Sequence, residues 1–391
     1  MPIRDGSGKL YPSLTKHSPR DSKFEFHKIT AQEVARLYGL EDGFVGFIAG
    51  KKAVNFESYS VRISLCGSWL TFVLTADGKL KLVDAKFCKV PNCPMCQWRR
   101  SLKWRSKFLA LLPQIQKNHP THRWVFLTLT LRNCELEDLR TTLSYLTKAF
   151  NRLSQLKRFP MDGLVKSVEV TRAWDCYDRG EFVGRHGTKW VVKWEYDHKR
   201  QLKLEPTTEV HPHLHVSGLV PASYFTGRCY IPHAEWVEMW QQSLRVDYQP
   251  IVNVKAVKPK KGTNLLPEPE EFADNPDADK SGIVKAICET LKYTVKEQDL
   301  IGLYCKDEVA NATWLKGITQ QLYKARKVEY RGVLKEIGKE LDEAFNDDDL
   351  IRVNDDKDSP EQPDLQQITF RWIKGINKYI EIVKPVEEET C

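Results

Sequence analysis

Two hydrophobic periods alternate along this 391-residue chain. Apolar residues at every second position put one face of a strand in a core; apolar residues at every third or fourth position do the same for a helix. Period two marks Tyr59–Leu65, Trp69–Thr75 and Lys79–Val83, separated by Cys66-Gly67 and Asp77-Gly78, and predicts strands joined by turns. Further strands are expected at Trp124–Leu131, Leu164–Thr171, Trp190–Tyr196, Val210–Leu219 and Ile251–Val257. Helical spacing marks Thr30–Leu40, with Thr30 as N-cap and Glu33 completing a capping box. It marks Gln97–Gln116, Glu137–Leu156, Pro232–Leu244, Gly282–Gln298 and Thr313–Glu343 as well. Strands interleaved with helices, several of them hairpin-like neighbours, predict an α+β fold on a mainly antiparallel sheet. Residues 258–281, rich in Lys, Pro, Glu and Asp, read as a flexible excursion.

Charge adds a partner class. Residues 339–364 carry a net −8 and residues 1–338 a net +16, within a whole-chain +8. A basic body with an acidic appendage suits a polyanion, although solvated surface charge would look similar. Residues 345–364 read as disordered. The first twenty residues are polar and basic rather than signal-like, and the longest apolar run, around Trp124–Leu131, is short of the roughly 20 residues a membrane helix needs. A cytoplasmic protein with no membrane partner is expected. Its ten cysteines are scattered except for three within nine residues, unlike a disulfide framework.

Three segments carry candidate chemistry. In Val210–Val216 the residues alternate strictly, so His211, His213 and His215 share one strand face. Two imidazoles so placed can grip one cation. Pro212 cannot donate to a sheet ladder, which predicts an edge strand or a bulge there. On the strand Val165–Thr171, Ser167, Glu169 and Thr171 share a face, and Glu169 is a candidate third ligand, with a solvated carboxylate as the alternative. On a helical wheel for Ser281–Leu300, Lys285, Glu289, Tyr293 and Lys296 fall on one face, while Ile283, Ile287, Leu291 and Val295 fall on the other. A tyrosine with a pKa of about 10 is a weak nucleophile until cations favour its phenolate. By itself the face is better described as a surface tyrosine packed on lysine stems; the histidine strand is what turns it toward chemistry. The third segment is Cys88-x4-Cys93-x2-Cys96, with Cys66 upstream as a possible fourth thiol. That set suits a closed, structural Zn²⁺ site better than a redox pair. Residues 86–110 hold seven Lys/Arg and no acid, with Trp98 and Trp104 between them, so Arg99, Arg100, Lys103 and Arg105 are candidate DNA contacts or a solvated helix face.

In order along the chain, Phe126-Leu-Thr-Leu-Thr130, His213-Leu-His215 and Glu289-Thr-Leu-Lys-Tyr293-Thr-Val-Lys296 resemble the three motifs of HUH endonucleases. More closely they resemble the replication initiator (Rep) proteins of small rolling-circle plasmids, as does the segment Phe87–Arg100. The resemblance runs over roughly residues 60–340. It implies an HUH-type antiparallel sheet flanked by helices, and a metal-dependent, site-specific single-strand DNA endonuclease and strand transferase. His213 and His215 would hold Mg²⁺ or Mn²⁺, and Tyr293 would attack the phosphate at the plasmid origin. The products would be a 5′-phosphotyrosyl link and a free 3′-OH for host helicase and polymerase. Glu289 would activate water for the terminating cleavage, and Lys296 would neutralise phosphate charge. The same chemistry serves transposases and relaxases, and a non-catalytic zinc-dependent DNA-binding regulator is the rival of another class. Four regions are expected: an extension over 1–58, a cysteine-rich zinc-binding and DNA-contacting element over 59–116, the nuclease core over 117–344 and an acidic, partly disordered tail over 345–391. The loop 172–209 and the excursion 258–281 are long for the family core, and Pro91 stands near where a basic residue is usual.

Overall fold

The computed structural model describes residues 3–4, 10–42, 44, 54–76, 78–257, 282–291, 294–325, 328–336, 350–351 and 366–382. The predicted excursion 258–281, most of the acidic stretch 345–364 and Tyr293 lie outside the described residues. The main elements in chain order are α1 (Ser22–Tyr38), α2 (Phe56–Ser64), β1 (Trp69–Leu74), β2 (Leu80–Ala85) and α3 (Pro94–Asn118). Then come β3 (Arg123–Thr130), α4 (Leu139–Ser154), β4 (Gly163–Asp178), β5 (Glu181–Gly187), α5 (Thr188–His198), β6 (Lys203–Val220), α6 (His233–Leu244) and β7 (Val252–Val257). The remainder are α7 (Gly282–Thr290), α8 (Glu297–Ile301), α9 (Glu308–Gln321), β8 (Val328–Gly332), β9 (Gln367–Ile373) and β10 (Lys378–Ile382). No helix among the described residues is long and apolar enough to cross a membrane.

The fold is α+β, with two antiparallel sheets. The larger runs β7-β3-β6-β4-β8, with β5 paired to the far end of β4 and the two-residue strand Cys134–Glu135 paired to β6. Strand periodicity decides its faces. Val125, Leu127, Leu129, Leu214 and Val216 point to one side, where Leu146, Phe150, Trp236 and Trp240 of α4 and α6 seal a core. Val165 and Leu219 point to the other, where Phe108, Leu112, Ile283 and Ile287 of α3 and α7 cover one end. The smaller sheet, ordered β10-β9-β1-β2, packs on α1 and the first turns of α3 through Phe24, Phe72, Trp98 and Phe370.

Several elements differ from their sequence reading. Tyr59–Leu65 is the end of α2 and not a strand: Asn55 caps that helix by accepting from the Ser58 N–H. Thr30 is no N-cap but lies inside α1, its hydroxyl donating to the Phe26 carbonyl. Trp190–Tyr196 is helical, because Trp190, Trp194 and His198 stack at four-residue spacing. The helix foreseen over Thr313–Glu343 stops at Gln321, and Val328–Gly332 instead pairs with β4. Pro212 sits on a central strand, not an edge. It falls between the end of the β3 pairing at His213 and the Cys134–Glu135 pairing at Val210, where no ladder bond is lost on that side.

The tail expected over 345–391 carries two strands. Residues 367–382 are β9 and β10, and β9 pairs along β1 from Gln367 opposite Val73 to Arg371 opposite Trp69. The Tyr379 hydroxyl donates to the Gly67 carbonyl at 2.6 Å, and Lys378 reaches Glu25 at 2.6 Å. The charge run that precedes these strands had masked their alternation. Phe370, fully buried and edge-on to Phe72 at 5.9 Å, is the test of this architecture. Phe370→Ala should destabilise the fold by about 3–5 kcal/mol in urea titrations; a loss below about 1 kcal/mol would mean the terminal strands are dispensable.

Candidate metal centre

The long pairing of β4 with β6 sets Glu169 directly opposite His213 and Ser167 opposite His215. On the other side of β6, β3 sets Thr128 opposite His215. Glu169, His213 and His215 therefore converge on the sheet face that α7 partly covers. His215 Nε2 lies 2.8 Å from Glu169 Oε2, and His213 Nε2 lies 3.6 Å from the same oxygen. One ligand atom from each of the three falls within 4.8 Å of the others. Ligands at right angles about 2.1 Å from a small divalent cation sit about 3 Å apart, so the donor set fits one after a small adjustment. Two nitrogens and one carboxylate leave half of an octahedron open.

The surroundings hold these groups in place. The Thr128 hydroxyl lies 3.2 Å from His215 Nδ1, and Phe126 stacks on the ring at 5.5 Å. An oriented imidazole presents Nε2 to the site. Neither Thr128 nor Phe126 was assigned a role from sequence, although the alternation of β3 puts both on the face of His215. His211 shares that face but is taken up by Asn133, 2.9 Å from its Nδ1, and burial pushes its pKa down to about 4. Burial lowers His215 also. Burial opposes ionisation of Glu169, yet His213, His215 and Lys296 hold its carboxyl well below the usual range.

Lys296 arrives by a route the wheel did not foresee. The helix predicted to Gln298 ends at Thr290, and a separate turn, α8, begins at Glu297. The β-branched Thr290, Thr294 and Val295 are poor at prolonging a helix. In addition, the Thr294 carbonyl accepts from the Val170 N–H of β4 at 2.7 Å. The chain is thus drawn onto the sheet, and Lys296, in extended conformation at the N-cap of α8, places Nζ 2.7 Å from Glu169 Oε1. Its ammonium is raised above the ordinary lysine value by Glu169 against the opposing effect of burial. Glu289, half-buried in the last turn of α7, adds negative charge felt by both His215 and Lys296. Beyond Lys296, Asp299 is fully buried, accepts from the Thr188 hydroxyl and is pushed up to about 6 by burial.

A second cluster lies against the smaller sheet. The thiols of Cys66, Cys88, Cys93 and Cys96 lie within 4.8 Å of one another, with Sγ–Sγ separations of 3.6 Å for Cys66–Cys96 and 3.7 Å for Cys88–Cys96. Tetrahedral Zn–S bonds of about 2.3 Å imply sulfurs about 3.8 Å apart, so four thiolates here fit one zinc ion. The Cys88 and Lys89 N–H groups donate to the sulfurs of Cys66 and Cys96, each at 3.3 Å. Contacts with Cys66, Cys88 and Cys93 drive Cys96 toward the thiolate, whereas burial holds Cys93 protonated.

The basic segment after this cluster is mostly internal. Arg99 is buried and donates to the carbonyls of Leu350 and Ile351 at 2.9 and 2.6 Å. Lys103 is buried as well. Arg100, half-exposed, donates to the Lys89 carbonyl, and Arg105 is half-buried. Of the four residues expected to contact DNA, Arg99 and Lys103 are thus buried, where the first turns of α3 lie under α1 and the smaller sheet, and Arg100 and Arg105 keep partial exposure.

A family model described as "Replication protein" matches residues 79–380. A "Protein rep" of Streptococcus pneumoniae is 33% identical over 307 residues, covering 77% of this chain and 78% of the relative. A "Protein rep" of Lentilactobacillus hilgardii is 30% identical over 324 residues, covering 82% and 87%. A "Replication protein" of Staphylococcus aureus is 28% identical, covering 64% and 88%. No solved structure matches the chain.

The raised Asp299 gives a pH prediction. Its folded pKa of about 6 exceeds the unfolded value near 4, so between those limits the folded state holds a proton that the unfolded chain has released. Stability should fall as pH rises through that window, by about 2–3 kcal/mol from this group. Asp299→Asn should remove the component, so that the variant gains on the wild type in unfolding free energy between pH 4 and pH 7. A difference constant across that range would count against the protonated carboxyl.

Proposed function

The chain belongs to the Replication protein family that its motifs resemble, and on that premise we propose that it initiates plasmid rolling-circle replication by nicking one strand of origin DNA. The observation that carries this reading is the grouping of Glu169, His213 and His215, with Lys296 and the Glu289 end of α7 beside them. The three side chains would hold Mn²⁺ or Mg²⁺, which when bound polarises a phosphate oxygen and lowers the cost of charge building on it. Glu169 offers Oε2 to the site while its Oε1 keeps Lys296, so the carboxylate stays oriented by an ammonium that also faces the incoming phosphate.

Tyr293, three residues beyond α7, is the proposed nucleophile. Its phenolate oxygen attacks phosphorus, the bond from phosphorus to the 3′ oxygen breaks, and that oxygen takes a proton to become a 3′-OH. The 5′ side remains as a phosphotyrosyl ester, and the 3′-OH primes a host polymerase behind a host helicase. At termination Glu289 takes a proton from water, which then replaces the phenolate as nucleophile. Origin DNA, single- and double-stranded, is the partner, and the plasmid's own compartment, the cytoplasm, is where such an initiator works. The four thiolates would hold a structural Zn²⁺ that fixes the smaller sheet to the start of α3.

Tyr293→Phe should abolish nicking of a supercoiled cognate plasmid and the covalent protein–DNA adduct, both read on denaturing gels; an adduct that persists removes the nucleophile assignment. His213→Ala with His215→Ala should lower nicking at least a hundredfold and leave much of the origin binding. Loss of both together would point to a structural metal and a regulator. Glu289→Ala should nick normally but fail to release closed circles. Zinc analysis of the purified chain should find about one ion per molecule, lost in Cys93→Ser together with several degrees of Tm. A zinc-free wild type would remove that site.

A further inference from the structure

Helix α5 crowns the long β4–β6 hairpin, in the part of the chain that is long for the family core. Its inner side is locked. His186, Trp190, Trp194 and His198 form a continuous stack, with ring centroids 3.6, 5.4 and 3.8 Å apart, beside a core of Trp174, Val191 and Leu202. The outer side is different. Lys189, Val192, Lys193 and Tyr196 follow one another at i, i+3, i+4 and i+7 and so share a face. Tyr196 is 83% exposed and Val192 48%. Among the described residues neither lysine joins an ion pair, whereas the neighbouring Arg185, Arg200 and Lys203 are each paired with a carboxylate. An exposed ring one turn beyond two ammonium groups that join no ion pair complements a phosphate backbone carrying unstacked bases.

Position narrows the ligand further. The first residue of α5, Thr188, donates to Asp299, three residues beyond the Lys296 that pairs with Glu169. Along β4, Trp174 is five residues from Glu169, about 17 Å of strand. Glu169, His213 and His215 are 9% exposed or less, a recess that a locally unpaired strand enters more readily than a duplex. We propose that the outer face of α5 is a platform for the single-stranded DNA flanking the nick, with Lys189 and Lys193 on successive phosphates and Tyr196 under a base. This rests on the strand-nicking reading above.

The test uses the full chain and fluorescence anisotropy, with labelled dT30 and a labelled random-sequence 30-bp duplex as probes. Tyr196→Ala should weaken dT30 binding about fivefold or more and leave the duplex unchanged. Lys189→Gln with Lys193→Gln should weaken dT30 about tenfold and reduce the salt slope by about 1.4. The control pair Lys16→Gln with Lys374→Gln removes the same charge elsewhere and should have no such effect. All variants should keep the wild-type circular dichroism and Tm, since the altered side chains are exposed. α5 variants with wild-type dT30 affinity, or an equal loss in the control pair, would overturn the platform alone. Equal weakening on the duplex by Tyr196→Ala would overturn the single-strand assignment. A wild type that binds neither probe would remove the nicking reading and the platform together.

Discussion

The register of β4 against β6 is the constraint on which the rest depends. Fourteen paired positions from Gly163–Leu219 to Tyr177–Lys203 keep Glu169 opposite His213. A slip of one residue in β6 would turn both imidazoles into the core lined by Phe150 and Trp236 and bring Leu214 and Val216 to the site. The hydrophobic effect therefore specifies the candidate metal centre. Burial of Leu214 and Val216 under α4 and α6 is what aims His213 and His215 the other way. After an irregularity between Arg172 and Trp174 the same two strands pair again in the arm that carries α5, so site and arm share them.

Residues 294–299 tie the surrounding elements to those two strands. Within six residues the main chain bonds to Val170, Lys296 meets Glu169, Glu297 meets His27 of α1 at 2.6 Å, and Asp299 meets Thr188 of α5. Each of these charged groups is largely buried, and burying a charge without a partner costs several kcal/mol. The segment is held by compensation: Lys296 balances Glu169, and Arg172 lies close enough to Asp299 to feel its charge. Through His27, which stacks on Trp98 at 4.6 Å, this loop also touches the helix that starts at the cysteine cluster. The two clusters are therefore joined by packed, charged side chains rather than by a linker.

The sequence shows this site unevenly, for physical reasons. Strand alternation at His211–His215 and Val165–Thr171 was legible because period two leaves only two faces to choose between. The pairing of Glu169 with His213 then needed only the right neighbour. Cys66 was legible as a fourth thiol because zinc-type spacing limits the candidates. What was lost depends on tertiary context. The Thr294 carbonyl that β4 captures breaks a helix whose apolar spacing alone would continue. Arg99 and Lys103 look like surface charges until α1 and residues 350–351 cover them. The strands β9 and β10 sit behind an acidic run that outweighed their alternation, and α5 has the β-rich composition Trp-Val-Val of a strand.

The contrast between the two clusters bears on how a chain of this kind can divide labour. Four thiols, three buried and Cys88 half-buried, with N–H donors on two of them, would leave no ligand position for anything else, so a cation there would serve structure. Two imidazoles and a carboxylate would leave positions open on a cation, and the Lys296 ammonium and the Glu289 carboxylate lie beside them. The closed cluster anchors α3, whose later turns cover the larger sheet beside α7. Fixing α3 in turn limits where α7 can lie, and α7 delivers Glu289. The packing around the cysteine cluster can in this way set the geometry around Glu169, His213 and His215.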